Sequence, residues 1–208
     1  MKWLAKLLPS SMTDEQAMRD VQQHGDHAAF ARLVERWEAP IRRLATRMTG
    51  DAHRGEDLAQ ETFARVFANR HQFDPQRKFS TWLWQIALNV CRAESRRLMR
   101  MALDSESIDH RHAQQGSPEK SLIDSERVAL VRSALARLEE SQRIVVILRE
   151  YEGLKFREIA EVLQTPEGTV KSRMADALAQ LGRELAPAIS GENRRAPRAV
   201  CATKERLT

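Results

Sequence analysis

Three groups of residues have types and spacing that could do chemistry. From Arg77 to Arg100 stand Arg77, Lys78, Arg92, Arg96, Arg97 and Arg100, opposed by Glu94 alone. Cations along one helix suit contacts to phosphates, which give affinity without sequence. Phe79 and Trp84 fall in the same stretch and offer rings on which unpaired bases can stack, whereas Trp82 reads as core. The second group follows Pro166: Glu167, Gly168, Thr169, Lys171, Ser172 and Arg173. A lysine or arginine there can bond guanine O6 and N7. Yet Glu167 and Asp176 offset Lys171 and Arg173, so this helix has no formal charge with which to hold a polyanion alone. Asp176 can accept from a cytosine amino group or can simply face solvent.

The third group is Asp57, Gln60 and Glu61, which share one helix face at i, i+3 and i+4. A solvated face is the competing reading. Asp57 and Glu61 resemble a carboxylate pair, but no second motif supports acid–base catalysis. There is no Gly-rich phosphate loop, nucleophile–base pair or metal-ligand spacing. The expectation is a protein without catalytic residues, metal, cofactor or small-molecule substrate. Cys91 lies in an apolar helical stretch and Cys201 in a polar tail, neither in a CxxC motif. This usage fits a reducing cytoplasm. His110 and His112 stand in a polar stretch and read as solvated.

Helices must position these groups. The chain has 208 residues, 8 glycines, 7 prolines and 5% aromatics, which argues against hairpin-rich β architecture. Charged residues reach 30% and the net charge is +5, which leans towards an anionic partner. The start, MKWLAKLLPSSM, is too short and interrupted for a signal peptide, and no transmembrane stretch follows. Trp3, Leu4, Leu7 and Leu8 give it at most a weak interfacial character. Thr13 with Gln16 makes a capping box for a first helix. Phe30, Leu33, Val34, Trp37, Ile41, Leu44, Ala45 and Met48 then form an apolar stripe, with a kink or break expected at Pro40 and an end at Gly50. A helix over 56–70 turns Leu58, Thr62, Phe63, Val66 and Phe67 inward. Ser80 caps the next, whose inward stripe is Trp82, Leu83, Ile86, Ala87 and Val90, with Gln85, Asn89, Arg92 and Arg96 outside.

Residues 101–124 lose periodicity and read as a linker, with Ser117 and Pro118 opening the next helix. Helices follow over 125–138 and 142–151, with Gly153 as a stop. Phe156, Ile159, Ala160 and Leu163 make one short apolar face. Val170, Met174, Ala177, Leu178 and Leu181 make another. Thr165, as N-cap, and Pro166 stand between them. Two such helices and a tight turn are what a helix-turn-helix needs, although any small bundle with an αα-hairpin has this pattern. The basic end reads as a disordered tail.

Two stretches resemble one family. GDAHRGEDLAQETFARVFANRHQFDPQRKFSTWLWQIALNVCRAESRR is similar to region 2 of bacterial sigma factors. LARLEESQRIVVILREYEGLKFREIAEVLQTPEGTVKSRMADALAQL is similar to their region 4. Their order, and the lack of a region 3 between them, resemble the extracytoplasmic-function group of the sigma-70 family. The resemblance implies an all-α fold of two small helical domains, a region 2 bundle and a region 4 helix-turn-helix, joined by a flexible linker. It implies a promoter-specificity subunit with RNA polymerase core, promoter DNA and an anti-sigma factor as partners. The alternative is a stand-alone helix-turn-helix regulator.

By position, DLAQETF implies core binding through Asp57, Gln60, Glu61 and Phe63. The loop from Phe73 and the helix after it imply −10 contacts through Arg77, Lys78, Phe79, Trp84, Asn89, Arg92 and Arg96. The helix after Pro166 implies −35 contacts through Glu167, Gly168, Thr169, Lys171, Ser172 and Arg173. The sequence departs from the family in MADALAQL, where an arginine-rich run is common, and in Glu139, where proline is common. A weakly charged reader suffices if polymerase tethers it at the promoter. The domain expectation is an N-terminal extension over 1–20, region 2 over 21–101, a linker over 102–124, region 4 over 125–186 and a tail over 187–208.

Overall fold

The computed structural model describes residues 12–104 and 122–192. The readings of Trp3, Leu4, Leu7 and Leu8, of His110 and His112, of Ser117 and Pro118, of Cys201, and of the centre of the linker and the end of the tail lie outside the described residues. Within them the chain is helical and contains no strand. The helices are α1 (Asp14–His24), α2 (His27–Thr49), α3 (Ala52–Ala68), α4 (Phe79–Asp104), α5 (Leu122–Arg137), α6 (Glu140–Val146), α7 (Phe156–Leu163) and α8 (Glu167–Glu192). A 3₁₀ turn, Arg70–Gln72, precedes α4, and a π-helical turn, Ile147–Tyr151, extends α6.

Local hydrogen bonds start α1 and end α2 as the sequence predicts, whereas α3 starts at Ala52, ahead of the predicted residue 56. Thr13 Oγ1 accepts from the Gln16 N–H at 3.2 Å, and Gln16 Oε1 accepts from the Thr13 N–H at 3.0 Å. Asp26 and Asp51 cap α2 and α3 through their carboxylates. Gly50 ends α2 at φ 76°. Pro40 does not break α2, which runs unbroken from His27 to Thr49. Leu33 on one side of Pro40 and Ile41 and Leu44 on the other are all buried. That packing outweighs the loss of one intrahelical bond.

Helices α1 to α4 share one core. Met18, Val21, Leu33, Ile41, Val66 and Leu83 are fully or nearly fully buried in it. Helix α1 therefore belongs to this bundle, and it crosses the domain start expected at residue 21. Helices α2 and α3 cross where α3 carries Gly55. A Cβ there would stand 2.1 Å from Thr46 Oγ1 and 3.0 Å from the Thr46 backbone nitrogen. The lack of a side chain at Gly55 is what lets the two backbones approach.

Helix α4 differs from expectation at both ends and in phase. The Phe79 N–H at its start donates to Glu15 Oε1 of α1 at 3.0 Å, and Ser80 lies inside the helix rather than capping it. The far end continues to Asp104, into the expected linker. Its buried side chains are Phe79, Leu83, Trp84, Ala87, Leu88, Val90 and Cys91. The helix is thus turned from the predicted stripe by less than one residue, that is by less than about 100°. Burial pushes the Cys91 thiol up to about 12, as suits a small core residue.

Helices α5 to α8 form the second bundle around Leu138, Ile144, Ile147, Leu148, Ile159, Val162, Val170 and Met174. Val162 joins this core although the face predicted for α7 omitted it, and Leu178, placed on the face predicted for α8, is 52% exposed. Helix α7 has the predicted bounds. Gln164 adopts a left-handed φ of 51° to end it. Helix α8 begins at Glu167, and the Pro166 carbonyl accepts from the Val170 N–H at 3.2 Å. The Thr165 hydroxyl donates back to the Leu163 carbonyl at 3.0 Å, so it is not the expected N-cap. The two bundles touch, chiefly along α4 and α7. The polar linker alone suggested no fixed interface.

Candidate nucleic-acid and partner interfaces

Helix α3 presents Asp57, Gln60 and Glu61 outward, as the 3.6-residue period requires. Glu61 Oε1 accepts from Arg65 Nε at 2.7 Å, one turn on. Phe63 is on the other side. It is 6% exposed and meets the Phe30 ring edge-on, with centroids 6.4 Å apart. Phe63 therefore supports the face from beneath and offers a partner no surface.

Helix α4 separates the aromatic residues from the cations. Phe79 is fully buried and Trp84 only 3% exposed, so neither can take a base by stacking in this conformation. Both rings pack against Trp37, at 6.4 and 5.9 Å. The cause is the rotation of α4. Residues two apart lie on nearly opposite sides of a helix, so turning Trp84 inward brings Trp82 towards the surface. Trp82 is half-buried beside Phe73, with centroids 5.3 Å apart, and is not core as predicted.

The cations remain accessible. Arg77 lies 3.6 Å from Asp74, Lys78 3.1 Å from Glu158 and Arg92 3.6 Å from Glu140. Asn89 and Arg96 are exposed. Glu94, the acid within the stripe, is taken by Arg97 through bonds of 2.7 and 2.8 Å. That bonding, more than charge alone, lowers the Glu94 pKa and raises that of Arg97. Glu158 is also held below the usual carboxylate range, first by the Lys155 N–H and then by Lys78.

On α8, Val170 and Met174 are buried, which turns the intervening residues outward. Gly168, Thr169, Lys171 and Ser172 are exposed, and Glu167 and Arg173 are half-buried. Lys171 Nζ pairs with Glu167 Oε1 at 2.7 Å. Ala175 and Asp176 are exposed on the next turn.

The structure adds residues for which the sequence carried no signal. Glu152 of the second bundle faces Arg43 and Arg47 of α2, at 3.0 and 3.7 Å, with its side chain 3% exposed. The Arg47 guanidinium stands 4.0 Å above the Tyr151 ring. Among the described residues no cluster could hold a metal ion, and no helix is long and apolar enough to cross a membrane.

Residues 33–101 match the family described as Sigma-70 region 2, and residues 129–181 match Sigma-70, region 4. The RNA polymerase sigma-H factor of Pseudomonas aeruginosa is 35% identical over 85% of this chain and 97% of its own length. The chain belongs to the sigma-70 family. The ECF RNA polymerase sigma factor SigW of Bacillus subtilis is 34% identical over 77% of this chain and 91% of its own. Among solved structures, CnrH in complex with the cytosolic domain of CnrY superposes with a TM-score of 0.65. It is 25% identical and covers 84% of this chain and 97% of that one. The fold is shared by RpoE of Bartonella quintana, with a TM-score of 0.64, 24% identity, and coverage of 76% of this chain and 96% of that one. This sigma factor is of the ECF group. It is a promoter-specificity subunit of RNA polymerase, not an enzyme, and its partners are polymerase core and promoter DNA. Matches in both halves disfavour a stand-alone helix-turn-helix regulator.

Proposed function

We propose a division of labour among three helices. Helix α3 docks on polymerase core through Asp57, Gln60 and Glu61, with Phe63 holding that face in place. Helix α4 and the loop before it serve the −10 element through Arg77, Lys78, Asn89, Arg92 and Arg96. Helix α8 reads the −35 element through Lys171, Ser172 and Arg173, with Glu167, Gly168 and Thr169 at the helix end nearest the groove. The observation that carries this reading is the exposure of these polar side chains on three helices whose apolar sides are buried.

Phe79 and Trp84 drop out as stacking surfaces and act by fixing the phase of α4. Trp82 is the ring at this end of α4 with surface left for a base. Region 2 supplies most phosphate affinity, and the first turns of α8, with Lys171 and Arg173 balanced by Glu167 and Asp176, choose among sites already brought close by tethering. The two functional units span 21–101, with the rest of α1 added, and 125–186. The protein acts in the cytoplasm beside polymerase, and the family resemblance implies an anti-sigma factor as a further partner.

The test is transcription by polymerase core on a genomic promoter library, with and without this protein. Initiation at a defined subset of promoters only in its presence is expected. Binding of duplex promoter at full specificity without core would refute the tethered reading.

A further inference from the structure

The two halves of this sigma factor meet through charge. Region 4 turns three carboxylates towards region 2, and each meets a cation. Glu152 Oε2 lies 3.0 Å from Arg43 Nη2, and its Oε1 lies 3.7 Å from Arg47 Nη1. Glu158 Oε1 lies 3.1 Å from Lys78 Nζ, and Glu140 Oε1 lies 3.6 Å from Arg92 Nε. Between the last two, the Gln85 amide donates to the Glu161 carbonyl at 3.2 Å.

These contacts differ in strength. Lys78 and Arg92 keep 60% and 38% of their side-chain exposure, so their pairs are solvated and individually weak. Glu152 keeps only 3%, and taking a carboxylate so far out of water is costly unless cations are fixed against it. The π-helical turn Ile147–Tyr151 delivers it there, with the Tyr151 ring under Arg47. Glu152 is thus the most enclosed of the three carboxylates. A carboxylate beside arginine or lysine offers the same acceptors as a phosphate. Lys78 and Arg92 are two of the cations assigned above to the −10 element.

We propose that region 4 clasps region 2 by phosphate mimicry. Glu152 latches the halves together, and Glu140 and Glu158 occupy cations of α4 that promoter DNA must use. The free chain is then closed over part of its −10 face, and assembly on core and promoter exchanges those carboxylates for phosphates. The proposal rests on the reading of α4 as the −10 face.

The experiment uses the full chain without polymerase. With Cys201→Ser, and Cys91 buried, dyes placed by Ala64→Cys and Ala179→Cys report the distance from α3 to α8. Arg43→Glu sets a carboxylate against Glu152. Arg43 is 47% exposed and was assigned neither to DNA nor to core, so the bundle should tolerate the change. The expected result is a longer interdomain distance and an affinity for a fluorescent fork-junction DNA raised about tenfold or more. The added negative charge alone would lower that affinity, so the sign is diagnostic. Adding Lys78→Ala and Arg92→Ala to the opened chain should abolish the gain. An unchanged distance overturns the latch. A longer distance with no gain in affinity, while binding still depends on Lys78 and Arg92, overturns the masking. Binding by the opened chain that ignores Lys78 and Arg92 overturns both the masking and the assignment of α4 to the −10 element.

Discussion

Lys171 offers a sharp test of how helix turns without net charge read DNA. In the free protein it is not idle: its ammonium pairs with Glu167 one turn earlier, at 2.7 Å. Both side chains are about half exposed, at 56% and 43%. Breaking such an i,i+4 pair costs about 0.3–0.5 kcal/mol. A good contact to guanine O6 and N7 supplies about 1–3 kcal/mol of discrimination. The contact wins, and the net preference at that position should be about 0.5–2.7 kcal/mol, roughly two- to a hundredfold. The assay is selection of a randomised −35 library by polymerase core with wild-type protein and with Lys171→Ala, read by sequencing. Lys171→Ala should flatten the preference at one base position by that factor and leave the others unchanged. Glu167→Gln should raise affinity about twofold at all sequences if Glu167 only restrains Lys171. A changed base preference for Glu167→Gln would instead mean that Glu167 itself touches a base. Identical preferences from wild type and Lys171→Ala would refute sequence reading by Lys171, with family membership untouched.

Three further outcomes are expected. Replacing Asp57, Gln60 and Glu61 together by alanine should weaken core binding at least tenfold while shifting stability little, because all three are exposed; unaltered affinity in a titration against core would refute the α3 assignment. Replacing Arg92 and Arg96 by alanine should slow open-complex formation and lower its log–log salt slope by about 1.4, the release from two single-strand phosphates; permanganate footprints and slopes equal to wild type would reduce the stripe to a solvated face. Gly55→Ala should destabilise the first bundle by up to about 2 kcal/mol in urea titration: overpacking against Thr46 costs about 1–3 kcal/mol, against a roughly 0.8–1.0 kcal/mol gain in helix propensity. A more stable Gly55→Ala would show that α2 and α3 are not so closely apposed.

What could be read along the chain was what neighbouring residues decide among themselves. The Thr13–Gln16 box, the end of α2 at Gly50, the bounds of α7 and the outward face of Asp57, Gln60 and Glu61 all follow from hydrogen bonds and side chains within one or two turns. The sigma-70 family was legible for a related reason: its motifs lie within single helices and turns. What the sequence could not decide was how those helices rotate and meet. The choice between Trp82 and Trp84 for the core turns on how α4 sits against Trp37 of α2, and a small rotation exchanges them. Pro40 predicts a kink or a break in α2 by local rules, yet the helix runs unbroken with Leu33, Ile41 and Leu44 buried around it. Gly55 looks like a weak point in a helix until Thr46 is found against it. Nothing along the chain sets Glu152 apart until α2 brings Arg43 and Arg47 to it. Periodicity along one helix gives a face but not its partner. The partner is set by packing between residues far apart in sequence, where burial and desolvation outweigh local preference.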